Sequence, residues 1–294
     1  MNIVLFTEPE LVEGIVANDQ RVCHVRDVLS ISDGDPFDAG VINGVRGKAA
    51  FQAGVGDRVK ILFKPTEPAS PLYPVDVMIG MSRPQSCRFV LRSLATLGVR
   101  SIEFVLTEKG ERSYATSQLW TSGEYLGIVT AAVAQAFETN LPAVKFDRTL
   151  ADALESLGPI DAGEEIAGAR SARICLDNYE STTSLVSAIA APLPGKPLPV
   201  EIMPAERLTT ECLLGETASK GMTEICDRPP TCLLIGSERG WSDDERREIR
   251  ERGFVMASMG PRVLRVETAS VAAVATLLAN CFWDREAGTA STRG

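Results

Sequence analysis

The feature that most constrains this chain is the order of elements written into residues 231–283. The stretch opens with TCLLI (231–235), an apolar run of strand length that stops at Gly236, with Gly240 four residues on. Glycine lets the main chain take positive φ or approach a ligand closely. Ser242 follows, with Glu245 three residues later, which is the spelling of a helix capping box. Gly253 is the expected stop of that helix. Residues 254–258 read as a second strand, Met259-Gly-Pro-Arg262 as a second break, and 268–282 as a closing helix rich in alanine. Strand, glycine loop, helix, strand, Gly-Pro loop, helix is α/β organisation. It places ligand loops at the carboxyl ends of the strands.

The letters narrow this further. IGSERGWSDDE followed by MGPRVLRVETA resembles the paired signature of the RsmE-type ribosomal RNA methyltransferases of the SPOUT superfamily, which usually spell IGPEGG-F-S and LGPRILRTETA. Here Ser237 stands for Pro, Arg239 for Gly and Trp241 for Phe; Met259, Val263 and Val266 are the departures in the second loop. CHVRDVLSISDGD (23–35) resembles the family's H-x-x-K-V-L-R-x-x-x-G-D, with Asp27 and Ser30 replacing Lys and Arg. Residues 83–114 resemble a branch of the family that opens on R-P-K. Gln135 and Pro142 match a further segment, in which Glu138 stands for a frequent Arg. The resemblance implies a PUA-like β-barrel that binds RNA over 1–68. After it comes a SPOUT-type, trefoil-knotted, parallel-sheet methyltransferase domain over 75–294. It also implies S-adenosylmethionine as cofactor and N3 of a uridine in small-subunit (16S) ribosomal RNA as the methyl acceptor. The implied partners are ribosomal RNA or the small ribosomal subunit, and a second copy of the chain in a homodimer.

The residues themselves give a compatible layout. Turn signals around Gly34, Gly44 and Gly54 recur about every ten residues, the spacing of a small sandwich or barrel. Pro65, Pro68, Pro71 and Pro74 favour an extended connector, which sets a boundary there. Strands are expected at 75–80, 101–106 and 171–176. Helices are expected at 84–97, with Phe89, Leu91, Leu94 and Leu97 inward, at 124–137, with Leu126, Val129, Val133 and Phe137 as a core or dimer face, and at about 182–191. Residues 193–230 have no clear family counterpart and read as an insertion or a divergent connection.

A net charge of −9 cuts against a nucleic-acid partner, because phosphate binding calls for a basic footprint. Between residues 80 and 112, however, Arg83, Arg88, Arg92, Arg100, Lys109 and Arg112 outnumber Glu103, Glu108 and Glu111. That excess is either one basic face or an ordinary solvated helix surface. The seven cysteines are scattered without C-x-x-C spacing, which suits free thiols in a reducing compartment. His24 is the only histidine, so neither a His-rich metal site nor a Ser-His triad is expected. No apolar run of membrane-spanning length and no secretory leader stand out, and a cytoplasmic protein without membrane or metal is expected.

The resemblance also assigns roles. In the first loops, Thr107, Ile235, Gly236, Ser237, Glu238 and Gly240 would hold the cofactor. In the second, Met259, Gly260, Val263, Leu264, Arg265 and Thr268 would do so. Arg265 is the candidate for stabilising a developing imide anion. Glu267 would orient it or accept a proton, and Glu238 is a second carboxylate. Each can equally be a cap or salt bridge that shapes its loop; an acid such as Glu267 is favourable at a helix start in any case. His24, Arg26, Arg83, Arg88 and Arg92 are the candidate RNA contacts. A nucleotide site competes with this reading, but GSERG is not G-x-G-x-x-G and no G-x-x-x-x-G-K-[ST] is present. A non-catalytic RNA- or ribosome-binding protein with this fold, or a SPOUT enzyme acting on another RNA, stays open. The last helix is apolar on nearly every side and so should be covered. A twin subunit in a two-fold dimer, with Val274 or Leu278 near the interface, or residues 193–230 would cover it.

Overall fold

The computed structural model describes residues 2–157, 172–190 and 230–283. The chain forms two compact units.

The first unit comprises Met1–Leu72, Pro84–Arg100 and Thr116–Val144. Its sheet has five strands: β1 (Val4–Phe6), β2 (Ile15–Val16), β3 (Phe37–Val41), β4 (Arg46–Ala53) and β5 (Arg58–Glu67). They lie in the order β1-β3-β4-β5-β2, with β1 parallel to β3 and the other pairs antiparallel. Alternate residues Phe37, Ala39, Ala49, Phe51, Val59 and Ile61 point to one core, as a half-covered sheet requires. Between the short helices α1 (Glu8–Glu13) and α2 (Gln20–Cys23), Arg21 bonds to both Glu10 and Asp19 and lies 5.2 Å from the Phe6 ring centroid. Those hydrogen bonds hold both carboxyls below their ordinary range.

Three further helices belong to this unit: α3 (Pro84–Thr96), α4 (Gln118–Thr121) and α5 (Glu124–Gln135). α3 and α5 pack on each other. The buried face of α3 is Cys87, Val90, Leu91 and Leu94, an i, i+3, i+4, i+7 stripe that leaves Phe89 47% exposed, contrary to its expected inward place. In α5, Val129 and Val133 are buried in the core, Leu126 is exposed and Phe137 lies past the helix end at φ 63°. Glu138, which reads in the sequence as a lost positive charge, is the counter-ion of the buried Arg46 at 2.9 Å.

The second unit comprises Tyr73–Arg83, Ser101–Ala115 and Lys145–Gly294. Its sheet contains β6 (Tyr73–Gly80), β7 (Val99–Leu106), β8 (Ala143–Thr149), β9 (Ala172–Leu176), β10 (Thr183–Ser184), β11 (Thr231–Ile235) and β12 (Val255–Ser258). The order is β10-β12-β9-β11-β6-β7-β8, and the four pairings from β10 to β6 are parallel. β11 is central and every one of its residues is buried, which is why it reads as a continuous apolar run rather than an alternating one. Cys232 and Leu234 face a core completed by Met78, Val105, Cys175 and Met256. Helices α6 (Leu150–Glu155) and α8 (Asp243–Glu251) close it with Leu150, Leu154 and Ile249.

α8 begins at the expected capping box, with Ser242 Oγ accepting from Glu245 N–H and the Glu245 carboxylate accepting from Ser242 N–H. It ends before Gly253, which sits at φ 76°. The last helix, α9 (Val266–Leu278), continues as one turn of π-helix to Trp283 and contacts β11 and α7 (Leu185–Ala190). By length and composition Val266–Trp283 could span a bilayer, against the expectation that no run is long and apolar enough; its inner side packs on β11 and α7. Val274 and Leu278 are fully buried within the protomer and are therefore core residues, not interface residues. The expected insertion at 193–230 lies outside the described residues except for Pro230.

Candidate active site

Five loops leave the carboxyl ends of neighbouring strands in the second unit. Residues 259–265 follow β12, 177–182 follow β9, 236–242 follow β11, 81–83 follow β6, and 107–111 follow β7. The loop after β11 is the hub. Gly240, at φ 66°, closes a tight turn by donating its N–H to Ser237 O at 2.9 Å, a conformation that favours glycine. The ends of β6 and β11 touch: a Cβ on Gly80 would stand 2.4 Å from Ser237 N.

Side chains then lace the hub to the loops on both sides. Toward β9, the buried Trp241 indole donates to Leu176 O at 3.2 Å. Arg246 Nε donates to Asp177 Oδ2 at 2.9 Å, with both side chains buried. The other Asp177 oxygen accepts the N–H groups of Tyr179 and Glu180 at 2.6 Å each, so one carboxylate fixes the whole 177–180 turn. Below it, burial pushes the Cys175 thiol well above its ordinary pKa. Toward β7, Glu245 Oε1 accepts Glu108 N–H at 2.8 Å while Oε2 serves the capping box. Lys109 Nζ donates to Trp241 O at 2.8 Å and Arg239 Nη1 to Lys109 O at 3.3 Å. Toward β6, Glu238 Oε1 accepts Arg83 N–H at 3.2 Å.

Two hydroxyls stand out against this saturation. Thr107 Oγ1 and Ser237 Oγ are buried and have no hydrogen-bond partner among the described residues. Each sits at the end of one of the strands flanking β6. An unmet buried hydroxyl costs about 1–3 kcal/mol, so two at one sheet edge call for partners that the described residues do not supply.

A profile for the RNA methyltransferase domain matches residues 68–190 and 203–278. The ribosomal RNA small subunit methyltransferase E of Treponema pallidum is 32% identical over 291 residues, which is 97% of this chain and 94% of that protein. The chain belongs to the ribosomal RNA small subunit methyltransferase E family. A family member from Borreliella burgdorferi is 24% identical over 93% of this chain and 95% of its own length. Among solved structures, the Neisseria gonorrhoeae family member bound to S-adenosyl methionine superposes with a TM-score of 0.61 at 18% identity, covering 95% of this chain and 98% of that one. A probable rRNA-methyltransferase from Porphyromonas gingivalis gives 0.62 at 17% identity over 95% and 99%. These two share the fold.

In this family member, the residues singled out by sequence fall into three groups. Thr107, Ile235, Gly236, Ser237, Glu238 and Gly240 lie on the laced loops just described. Met259 and Leu264 are half-buried on the loop after β12. Gly260 takes φ 102°, and Val263 is 81% exposed. Arg265 is the exposed N-cap residue of α9, and Glu267 and Thr268 are in its first turn. The candidate RNA contacts divide differently. Arg26 is paired with Asp33 at 2.8 Å and Arg88 with Glu124 at 2.6 Å, so both charges are compensated. Arg83 and Arg92 are exposed without an ion pair among the described residues, and His24 is half-buried in a turn of π-helix. Sequence reasoning named Lys109 only as part of the basic excess, and missed Glu245 as a bridge and the Asp177–Arg246 pair. Only Glu245 carried a signal, its capping box.

Proposed function

We propose that this chain transfers the methyl group of S-adenosylmethionine to N3 of a uridine in small-subunit (16S) ribosomal RNA. The observation that carries the reading is the pair of unmet hydroxyls, Thr107 and Ser237, beside glycine-lined loops at the carboxyl edge of the sheet. The donor fits that setting. Backbone groups of 236–240 and 259–264 can serve an adenine edge, Ile235, Met259 and Leu264 offer apolar contact, and the two hydroxyls offer hydrogen bonds to its polar end. S-Adenosylmethionine, when bound, supplies an electrophilic methyl group on a sulfonium.

The chain's own residues do the rest. Arg265, exposed at the start of α9, stabilises the anion that develops as the uracil N3 proton leaves. Glu267 takes that proton, directly or through water, and orients Arg265. Glu238, held on the Arg83 N–H, shapes the first loop.

The reading extends to the assembly. Residues 1–68 act as a PUA-like barrel for RNA, and 75–294 as a SPOUT domain whose C-terminal segment is knotted. The protein works as a cytoplasmic, two-fold homodimer. Support for the dimer is α9 and its extension: only 39% of Val266–Trp283 is buried in the protomer, and Val271, Ala272, Ala275 and Ala279 are half-buried.

Calorimetric titration with S-adenosylmethionine tests the site. The wild type should bind, and Gly236→Val should not. A Cβ at Gly236 would stand 3.3 Å from Gly240 Cα and 3.4 Å from the Trp241 ring, so valine's γ-methyls would crowd the loop. A variant with native circular dichroism and wild-type donor affinity would move the cofactor elsewhere. A wild type that binds small-subunit RNA but no donor would favour a non-catalytic binding protein.

A further inference from the structure

We propose that Lys109 and Arg239 form a clamp for the phosphate backbone of the RNA substrate, beside the loops that hold the candidate site. The inference rests on the function proposed above and names how an acidic chain grips that substrate.

The argument begins with charge. The protein carries −9, and several of its cations are already neutralised. Arg21 faces Glu10 and Asp19, Arg26 faces Asp33, Arg46 faces Glu67 and Glu138, Arg88 faces Glu124, and Arg246 faces Asp177. Lys109 and Arg239 are held differently. Lys109 donates to the Trp241 carbonyl at 2.8 Å, and Arg239 donates to the Lys109 carbonyl at 3.3 Å. A carbonyl fixes the position of a cation without cancelling its charge. Each cation is anchored to the other's loop, so the two are held together at the crossing of the loops after β7 and β11. Both residues are exposed.

The neighbouring acids make no ion pair with either cation among the described residues. Glu111 accepts from Ser113 N–H and Oγ, and Glu238 accepts from Arg83 N–H. Glu108 is exposed and makes no ion pair with either cation among the described residues; its N–H is taken by Glu245. Two like charges anchored at the crossing of two loops repel, and an anion bound by both relieves that repulsion. The unused N–H donors of a planar guanidinium and an ammonium suit the oxygens of a phosphate. The clamp lies on the loops that carry Thr107 and Ser237, where an RNA strand has to pass to bring a base to the candidate site.

Fluorescence anisotropy with a small-subunit ribosomal RNA transcript, measured across a salt series, tests the clamp. Each lost phosphate contact on single-stranded RNA removes about 0.7 from the slope of log K against log salt, which is about fivefold in affinity at about 0.1 M salt and nothing near about 1 M. Arg239→Gln should show that change. Arg239→Gln with Lys109→Gln should show about 25-fold at about 0.1 M. Arg239→Lys should keep the wild-type slope, and all three should keep the native circular dichroism spectrum. Parallel salt lines for wild type and double variant would overturn the clamp. So would an Arg239→Lys variant as weak as Arg239→Gln, because the effect would then not be one of charge. A wild type that binds RNA with the expected slope but no donor would instead overturn the methyltransferase reading.

Discussion

Glu245 should couple stability to donor binding. Its carboxylate is buried and accepts two backbone N–H groups, Ser242 at 2.8 Å and Glu108 at 2.8 Å. Glu245→Ala removes a charged acceptor from both and leaves two donors unmet away from water. A hydrogen bond to a charged group contributes about 1.5–3 kcal/mol and a helix cap about 1 kcal/mol, and these overlap at Ser242. Their non-additive sum is about 3 kcal/mol. Urea unfolding followed by tryptophan fluorescence reads this directly, since Trp241 lies in the affected core. With a slope of about 3 kcal/mol per molar, the midpoint should fall by about 1 M. Glu245→Gln keeps the shape and one acceptor oxygen, so it should lose about half as much. The bond to Glu108 also docks the loop carrying Thr107 on the loop carrying Ser237, so donor affinity should fall in the order wild type, Gln, Ala. A Glu245→Ala protein within about 0.5 kcal/mol of wild type, at unchanged slope, would refute the claim that this carboxylate ties the two loops.

Other outcomes follow from the same geometry. Arg265→Ala should lower turnover at least about a hundredfold while donor affinity moves little; equal losses in single-turnover rate and donor titration would make Arg265 a binding or structural residue. Arg21 holds Glu10 and Asp19 below their ordinary values of 4.5 and 3.8, so the stability they contribute is present above those values and is lost as pH falls through the depressed ones. The gap between wild type and Arg21→Met should therefore be full at neutral pH and narrow below about pH 4; a gap constant through the acid range would contradict this. Leu278→Asp places a charge in the protomer's own core and should unfold the second unit. Ala275→Asp, on the half-buried side of α9, should instead yield folded monomers by light scattering; a folded dimer from Ala275→Asp would remove this side from the interface.

What could be read from the sequence was local. The 231–235 strand matches residue for residue because an apolar run ended by glycine has one reading. The Ser242–Glu245 box and Gly253 fixed both ends of α8 because their partners lie within three or four residues. Helix faces were less legible. Phe89 and Leu126 are apolar, but the stripe that meets α3 or α5 is decided by what packs there. α9 is apolar all round, so no periodicity could say that Val274 and Leu278 face inward. The network around the candidate site was the least visible. Arg246 meets Asp177 across 69 residues and Glu245 meets Glu108 across 137, distances at which spacing carries no signal. Glu138 shows the same limit: its meaning is set by Arg46, 92 residues away.

The most direct test of the central claim is to incubate the purified protein with methyl-labelled S-adenosylmethionine and undermethylated small-subunit ribosomal RNA. Nuclease fragments of the RNA are then mapped by mass. The account predicts label in one fragment, carried by N3-methyluridine, with Gly236→Val and Arg265→Ala leaving that fragment unlabelled. Label on carbon, on ribose or on another base, or no label although the donor binds, would contradict it.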